Sequence, residues 1–145
     1  MNNFDRDAWE SGLIADMRAH DGNLTTGPMA GRPTLLMTAT GARSGEPRRV
    51  ILNYTRDAGD YVIVGSKGGA PRDPVWVGNL RAHPEVTVEA GGRVFRAVAT
   101  IVSDPAEHDR LWDAHATAMP VFAEYPAKTG GRIIPVIRLT EVAES

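Results

Sequence analysis

The sequence predicts a mainly β (α+β) domain in which about six antiparallel strands curl into a closed or partly closed barrel with flanking helices. Three observations carry this reading. From residue 34 onward the chain breaks into short runs rich in β-branched residues, the connections between several of them are hairpin-sized, and helices are missing between most strands. A doubly wound parallel sheet needs a helix at nearly every crossover, whereas closing an antiparallel sheet removes its exposed edges.

Residues 4–20 read as an amphipathic helix, with Trp9, Leu13 and Met17 at successive i+4 steps and Gly22 placed to end it. The Gly- and Pro-rich stretch 21–33 reads as loop. The strands follow: "TLLMTAT" (34–40), "RRVILNYTRD" (48–57), "YVIVGS" (61–66), "EVTVEA" (85–90), "RVFRAVATIVS" (93–103) and "IIPVIRL" (133–139). Their linkers "GARSGEP", "AGD" and "GG" suit tight turns. Two helices interrupt the series. Residues 74–84 begin with a proline at a first-turn position and stop at the next proline, and residues 103–119 carry Asp104, Pro105 and Glu107 in a capping-box arrangement.

The chain of 145 residues shows no repeat, low-complexity tract or linker, so a single domain over 1–145 is expected, large enough for its own core. Charged residues make up 23% and hydrophobic ones 42%, the balance of an ordinary globule, and the net charge of −2 argues against a general nucleic-acid surface. No apolar run spans a bilayer, the N-terminus lacks the pattern of an export signal, and no cysteine is present. A cytoplasmic protein without disulfides or thiolate metal sites is the expectation.

Signatures of nicotinamide-Rossmann, P-loop and zincin sites are missing. Ser66-Lys67 belongs to neither a GxSxG elbow nor an SxxK motif. His108 and His115 stand seven residues apart, roughly 10 Å along a helix, too far for an easy shared metal site; both read as surface or core residues, and no metal is expected.

Two loops stand out. "TATGARSGEPRR" (38–49) places Arg43, Arg48 and Arg49 around a Gly-bounded turn, a pattern that fits an anion site and also a solvated hairpin tip. "VGSKGGAPRDPVWVGNL" (64–80) ends a strand, passes successive glycines beside Lys67, and enters a helix whose free N–H groups favour negative charge. On that helix Trp76, Asn79 and Leu80 share one face; Trp76 and Leu80 also suit a core and Asn79 solvent. If the two loops meet, Arg43, Arg48, Arg49, Lys67 and Arg72 surround a local basic cleft at a barrel mouth, fit for a phosphate or carboxylate tail.

The stretches "LLMTATGARSGEPRR", "YVIVGSKGGAPRDPVWVGNLRAHPEVTV" and "EYPAKTGGRIIPVIRL", in order over roughly residues 34–140, closely resemble the deazaflavin (coenzyme F420)-dependent nitroreductase family. That family is built on a split β-barrel like that of FMN-binding proteins. The resemblance implies a groove for the coenzyme's phosphate and oligoglutamate tail. Its cofactor-binding residues would be Arg43, Ser44, Glu46, Pro47 and Arg48 on the first loop. On the second they would be Gly65, Ser66, Lys67, Gly68 and Gly69, with Trp76, Asn79 and Leu80 on the helix. Separated cations suit a ligand with several carboxylates, and arginine pairs with them in bidentate fashion.

The sequence departs from the family at Ala42, where relatives often carry a base, and at Glu46, where a Gln is common. Where well-known members display several tyrosines, it has Met119, Phe122 and Tyr125. The resemblance thus implies an F420H2-dependent oxidoreductase passing a hydride to an electron-poor, hydrophobic small-molecule acceptor. Quinones, unsaturated lactones or ketones of the coumarin type, and nitroaromatics are the acceptor classes. Ser66 and Tyr125 are its expected catalytic hydrogen-bond donors, with Met119 and Phe122 as apolar walls of the substrate pocket. An FMN-dependent split-barrel oxidoreductase and a non-catalytic deazaflavin carrier are the alternatives; a monomer or homodimer is expected, with no nucleic-acid partner and no membrane span.

Overall fold

The computed structural model describes residues 6–27 and 29–143. In chain order the elements are α1 (Arg6–Ala19), β1 (Thr34–Thr40), β2 (Pro47–Asn53), β3 (Thr55–Asp57), β4 (Asp60–Val64), α2 (Val75–Ala82), β5 (Glu85–Ala90), β6 (Arg93–Ile101), α3 (Pro105–Ala118) and β7 (Val136–Glu141). The first two residues of the helix expected over 4–20 lie outside the described residues; within them it ends as expected, with the Gly22 N–H on the Met17 carbonyl at 2.7 Å and Gly22 at φ 90°.

The seven strands form one sheet of order β2-β1-β5-β6-β7-β4-β3, antiparallel at every pairing. The run 48–57, expected as one strand, is two. Up to Asn53 it pairs with β1; from Thr55 it pairs with β4, at the opposite edge of the sheet. Only Tyr54 separates the two edge strands, so the sheet must curl until its edges nearly meet. The Tyr54 N–H donates to the Pro33 carbonyl (3.1 Å), one position beyond the Thr34–Asn53 pair that ends the β1–β2 ladder. The last strand also shifts: residues 133–135 precede the ladder, because Pro135 has no N–H to contribute, and pairing runs from Val136 to Glu141.

Period-2 alternation builds the barrel interior. Leu35, Met37 and Ala39, Tyr61 and Ile63, Val86 and Val88, Phe95 and Ala97, and Ile137 and Leu139 all point inward and are buried. Leu80 of α2 joins this cluster. Outside the barrel, α1 lays Ile14 and Met17 on Leu36, while α3 and the turn after it pack Leu111, Met119 and Phe122 against Val62, Val64 and Val136. Trp9, expected on the packed face of α1, is instead 49% exposed.

Pro74 is the N-cap of α2 rather than its first helical residue. At α3 only half of the expected capping box forms. Asp104 accepts the Glu107 N–H at 3.0 Å, but the Glu107 side chain pairs with Arg138 of β7 at 2.8 Å. Arg138 also holds Asp57 and Asp60, tying α3 to the β3–β4 hairpin. Hydrogen bonds from Arg110 and then Arg138 hold the Asp57 carboxyl well below the usual carboxylate range.

His115 of α3 is fully buried. One ring nitrogen meets Thr55 Oγ1 at 3.0 Å, and Nε2 has no partner among the described residues. Burial pushes the imidazole down to about 4 from 6.5, so the fold holds it neutral. The unfolded chain takes up this proton first, so stability present above pH 6.5 is lost as pH falls toward 4. The full window is worth about 3 kcal/mol. His115→Asn, which keeps a partner for Thr55, is expected to flatten the pH dependence of urea-unfolding free energy between pH 6.5 and 5 by about 1 kcal/mol per pH unit. Equal slopes in variant and wild type would mean that the folded protein accommodates the charged ring.

Candidate functional site

The first loop is a compact turn between β1 and β2. The Gly41 N–H donates to the Glu46 carbonyl (2.8 Å) and the Gly45 N–H to the Gly41 carbonyl (3.0 Å). A Cβ on Gly41 would lie 2.5 Å from Ser44 Oγ, which is why glycine stands there. Ser44 Oγ accepts from the Glu46 N–H (3.1 Å) and from Arg48 Nη2 (3.2 Å), so its hydroxyl organises the turn. Arg43 is exposed, and no described residue pairs with it. Arg49 points to the other face of β2 and pairs with Glu10 of α1 at 3.2 Å, which removes it from the expected cation set.

Asn79 decides how this turn meets α2. It is buried, neither solvated nor idle, and its Oδ1 accepts the Ala42 N–H at 2.9 Å. The turn is thereby pinned over the helix. Gly41, Arg43, Ser44 and Arg48 from the turn and Val75, Gly78 and Asn79 from α2 line a cavity of about 460 Å³. A Cβ on Gly78 would enter open space, so glycine keeps the cavity floor low.

On the other side of the α2 N-terminus lies a second cavity, of about 260 Å³. Ser66, Lys67 and Gly68 form one wall and Trp76, Phe122 and Tyr125 an aromatic one. Met29, Arg32, Ile51, Leu52 and Asn53 complete it. Lys67, Gly68 and Gly69 take successive φ values of 47°, 63° and 85°, all left-handed. Phe122 and Tyr125 follow α3 on tight 3-10 turns. The Phe122 N–H donates to Met119, Tyr125 to Phe122 and Lys128 to Tyr125, each three residues back, so these side chains share one edge. Their rings stack edge-on, His115 to Phe122 at 4.6 Å and Phe122 to Tyr125 at 5.3 Å.

The expected site residues therefore divide. Arg43, Ser44, Arg48 and Asn79 line one cavity, and Ser66, Lys67, Gly68, Trp76, Phe122 and Tyr125 the other. Gly65 and Gly69 act through packing: a Cβ would strike Val77 at 2.9 Å in the first case and Lys128 at 2.8 Å in the second. Pro47 faces a separate depression with Thr38 and Arg96, Glu46 serves the turn through its backbone, Leu80 is core, and the exposed Arg72 lines neither cavity. Met119 is buried and borders a different cavity with Tyr54 and Thr55, apart from Ser66 and Tyr125.

A family model described as F420H(2)-dependent quinone reductase matches residues 13–141. The chain belongs to that family. Membership makes it an F420H(2)-dependent oxidoreductase. The F420H(2)-dependent quinone reductase of Mycobacterium tuberculosis is 40% identical over 111 residues, 74% of this chain and 73% of that one. Among solved structures, an F420-H2 dependent reductase, FDR-A, is 39% identical over 74% of this chain and 94% of its own, with a TM-score of 0.67. A second, described as a domain-swapped dimer, is 34% identical over 92% of this chain and 96% of its own, with a TM-score of 0.69. The split-barrel architecture of this reductase is thus that of its relatives. A pyridoxamine 5'-phosphate oxidase-like structure from Listeria innocua, 13% identical with a TM-score of 0.55, shares the fold alone.

The sequence reading of this reductase missed the wall contributed by Arg32, in the loop before β1, and by Ile51 and Asn53, whose alternation along β2 looks like ordinary strand. It also missed Arg132, which lies within "EYPAKTGGRIIPVIRL" but carries no motif of its own. The Asn79 anchor is open to test. Asn79→Ala is expected to cost about 1 kcal/mol of stability and to speed hydrogen exchange at the Ala42 amide, while Asn79→Asp, which keeps the acceptor, restores both. Normal protection of that amide in Asn79→Ala would show that the turn holds its position without the helix.

Proposed function

We propose that the two cavities form one coenzyme groove running across the N-terminus of α2, and that the reductase passes a hydride from reduced F420 to a quinone. The observation that carries this reading is the pairing of a cation-lined lobe with an aromatic-walled one across a single helix start. The residues fit such a ligand. Ligand sites usually occupy about 300–1,000 Å³, and one lobe of about 460 Å³ beside one of about 260 Å³ reaches that range for an elongated molecule. Arg43, Arg48 and Lys67 would hold the phosphate and carboxylate tail, assisted by the free N–H groups at the start of α2.

When bound, the coenzyme supplies the hydride. The protein's part is to orient the acceptor and stabilise the charge that it gains. Quinone reduction takes one hydride and one proton to give the hydroquinone, and the Ser66 and Tyr125 hydroxyls are the donors at hand, with the proton from Tyr125 or water. Trp76 and Phe122 give the acceptor a flat apolar bed. Met119, buried on another cavity, is left out of this pocket. Unsaturated lactones and ketones share the quinone's electron-poor character and are the second acceptor class; nitroaromatics, which need more donors than this wall offers, are the third.

Parallel titrations with F420 and FMN test the cofactor. F420 is expected to bind much the more tightly, with affinity falling as salt rises. Arg43→Ala should weaken it by about 1–3 kcal/mol with the fold intact. Comparable or tighter FMN binding overturns the assignment, and a ligand that binds without any acceptor turnover makes the protein a carrier.

The acceptor wall is tested by the ratio of kcat/KM for a nitroimidazole to that for a quinone. A preorganised donor at a developing oxyanion is worth about 2.7–4 kcal/mol. Phe122→Tyr adds a hydroxyl to this wall and is expected to raise the ratio at least tenfold. Tyr125→Phe is expected to lower turnover more than coenzyme affinity. A flat ratio in Phe122→Tyr would mean that this position does not reach the acceptor.

A further inference from the structure

Arg132 lies in the loop before β7, outside every residue set to which the groove has been assigned. Its side chain is only 12% exposed and runs back beneath residues 65–73. A guanidinium carries five N–H groups, and five hydrogen bonds leave this one. Nε donates to the Ala70 carbonyl at 3.0 Å, and Nη1 to the Gly65 carbonyl at 2.9 Å and Asp73 Oδ1 at 2.6 Å. Nη2 donates to the Ser66 carbonyl at 2.9 Å and again to Ala70 at 2.7 Å. Its own carbonyl accepts from the buried Thr129 hydroxyl at 3.1 Å, which fixes where the side chain starts.

These bonds draw three loop carbonyls toward one buried cation. Without it, the Gly65 and Ala70 oxygens would lose their side-chain donor and the Ser66 oxygen would keep only the Gly69 N–H, a costly arrangement for buried or half-buried acceptors. The loop between them is the one whose Lys67, Gly68 and Gly69 are all left-handed, a conformation that a lysine takes only when its surroundings impose it. Lys67 and Gly68, which line the aromatic cavity, keep N–H groups that no described residue accepts. Arg132 itself borders another cavity, with Val102, His108 and Trp112, on the far side of the loop from the groove.

The geometry points to Arg132 as the positioning residue that sets the anion-binding conformation of the 65–70 loop, acting through backbone carbonyls and not by touching the ligand. This rests on the reading of that loop as part of the coenzyme groove. Lysine cannot replace it, since an ammonium offers three donors from one point where five are needed in a plane.

The experiment compares wild type, Arg132→Lys and the milder Asp73→Asn. Hydrogen exchange of the ligand-free protein should show the Gly69 and Ala70 amides, bonded to the Ser66 and Lys67 carbonyls, exchanging at least tenfold faster in Arg132→Lys, with the sheet amides unchanged. The Kd for F420 should rise at least tenfold while the KM for the quinone stays within twofold. Asp73→Asn should move the same readouts in the same direction by a smaller factor, and it carries the test if Arg132→Lys does not fold. In Arg132→Ala, low millimolar guanidinium ion should recover part of the lost affinity, a response that general destabilisation does not produce. Wild-type loop protection or wild-type F420 affinity in Arg132→Lys overturns the proposal. Should the wild type not bind F420, the functional reading fails instead; inorganic pyrophosphate then serves as the probe, and equal affinities in wild type and variant overturn the positioning role.

Discussion

At Tyr54 one continuous stretch of backbone passes from one edge of the sheet to the other. β2 completes its ladder with β1 at Asn53, and β3 begins its ladder with β4 at Thr55. With a single residue to bridge them, the two edges cannot lie further apart at this point than the two extended steps from Asn53 to Thr55, about 7 Å. The sheet is therefore forced into a curl, and the curl gives the inward-facing residues a common interior. It also brings the end of β2 beside the start of the loop after β4, which is where the aromatic-walled cavity opens.

The proposed groove depends on a second constraint, which is that both of its loops are held from behind. Asn79 takes the Ala42 N–H on one side of α2, and Arg132 takes three carbonyls on the other. In each case a buried polar group satisfies backbone that would otherwise be free, and the exposed cations Arg43 and Lys67 remain available for a ligand. Two cation-bearing loops held apart by a helix suit a molecule with spread negative charge better than one with a single compact phosphate.

The aromatic wall rests on the change of helical pitch after α3. Its last turn gives way to 3-10 turns, so Met119, Phe122 and Tyr125 fall at the period of the new helix. Phe122 and Tyr125 line the cavity, while Met119, at the junction, turns into the core. His115 stands one turn earlier, with its edge-on contact to Phe122. The wall is thus continuous with a buried, neutral imidazole, which couples its support to pH.

What local chemistry controls was legible in the sequence. Alternation marked the strands of the barrel interior, Gly22 and Asp104 marked helix ends, and glycine beside a cation marked both loops, because turn geometry, caps and strand faces follow from neighbours a few residues away. The strand break at Tyr54, the pairing of Arg49 with Glu10, the burial of Asn79 and the place of Arg132 were not legible. The last three join residues dozens of positions apart, and the strand break puts β3 at the far edge only because β4 pairs with the distant β7. A strand that changes partners therefore looks like one strand, and an arginine bonded to carbonyls has no more signature than one in solvent. By itself the sequence determined where most of the strands lie, the helix ends marked by Gly22 and Asp104 and the two loops suited to an anion; the tertiary structure decided where one strand becomes two, which cations line the two cavities and what holds the loops, since these depend on distances that only the curled sheet sets.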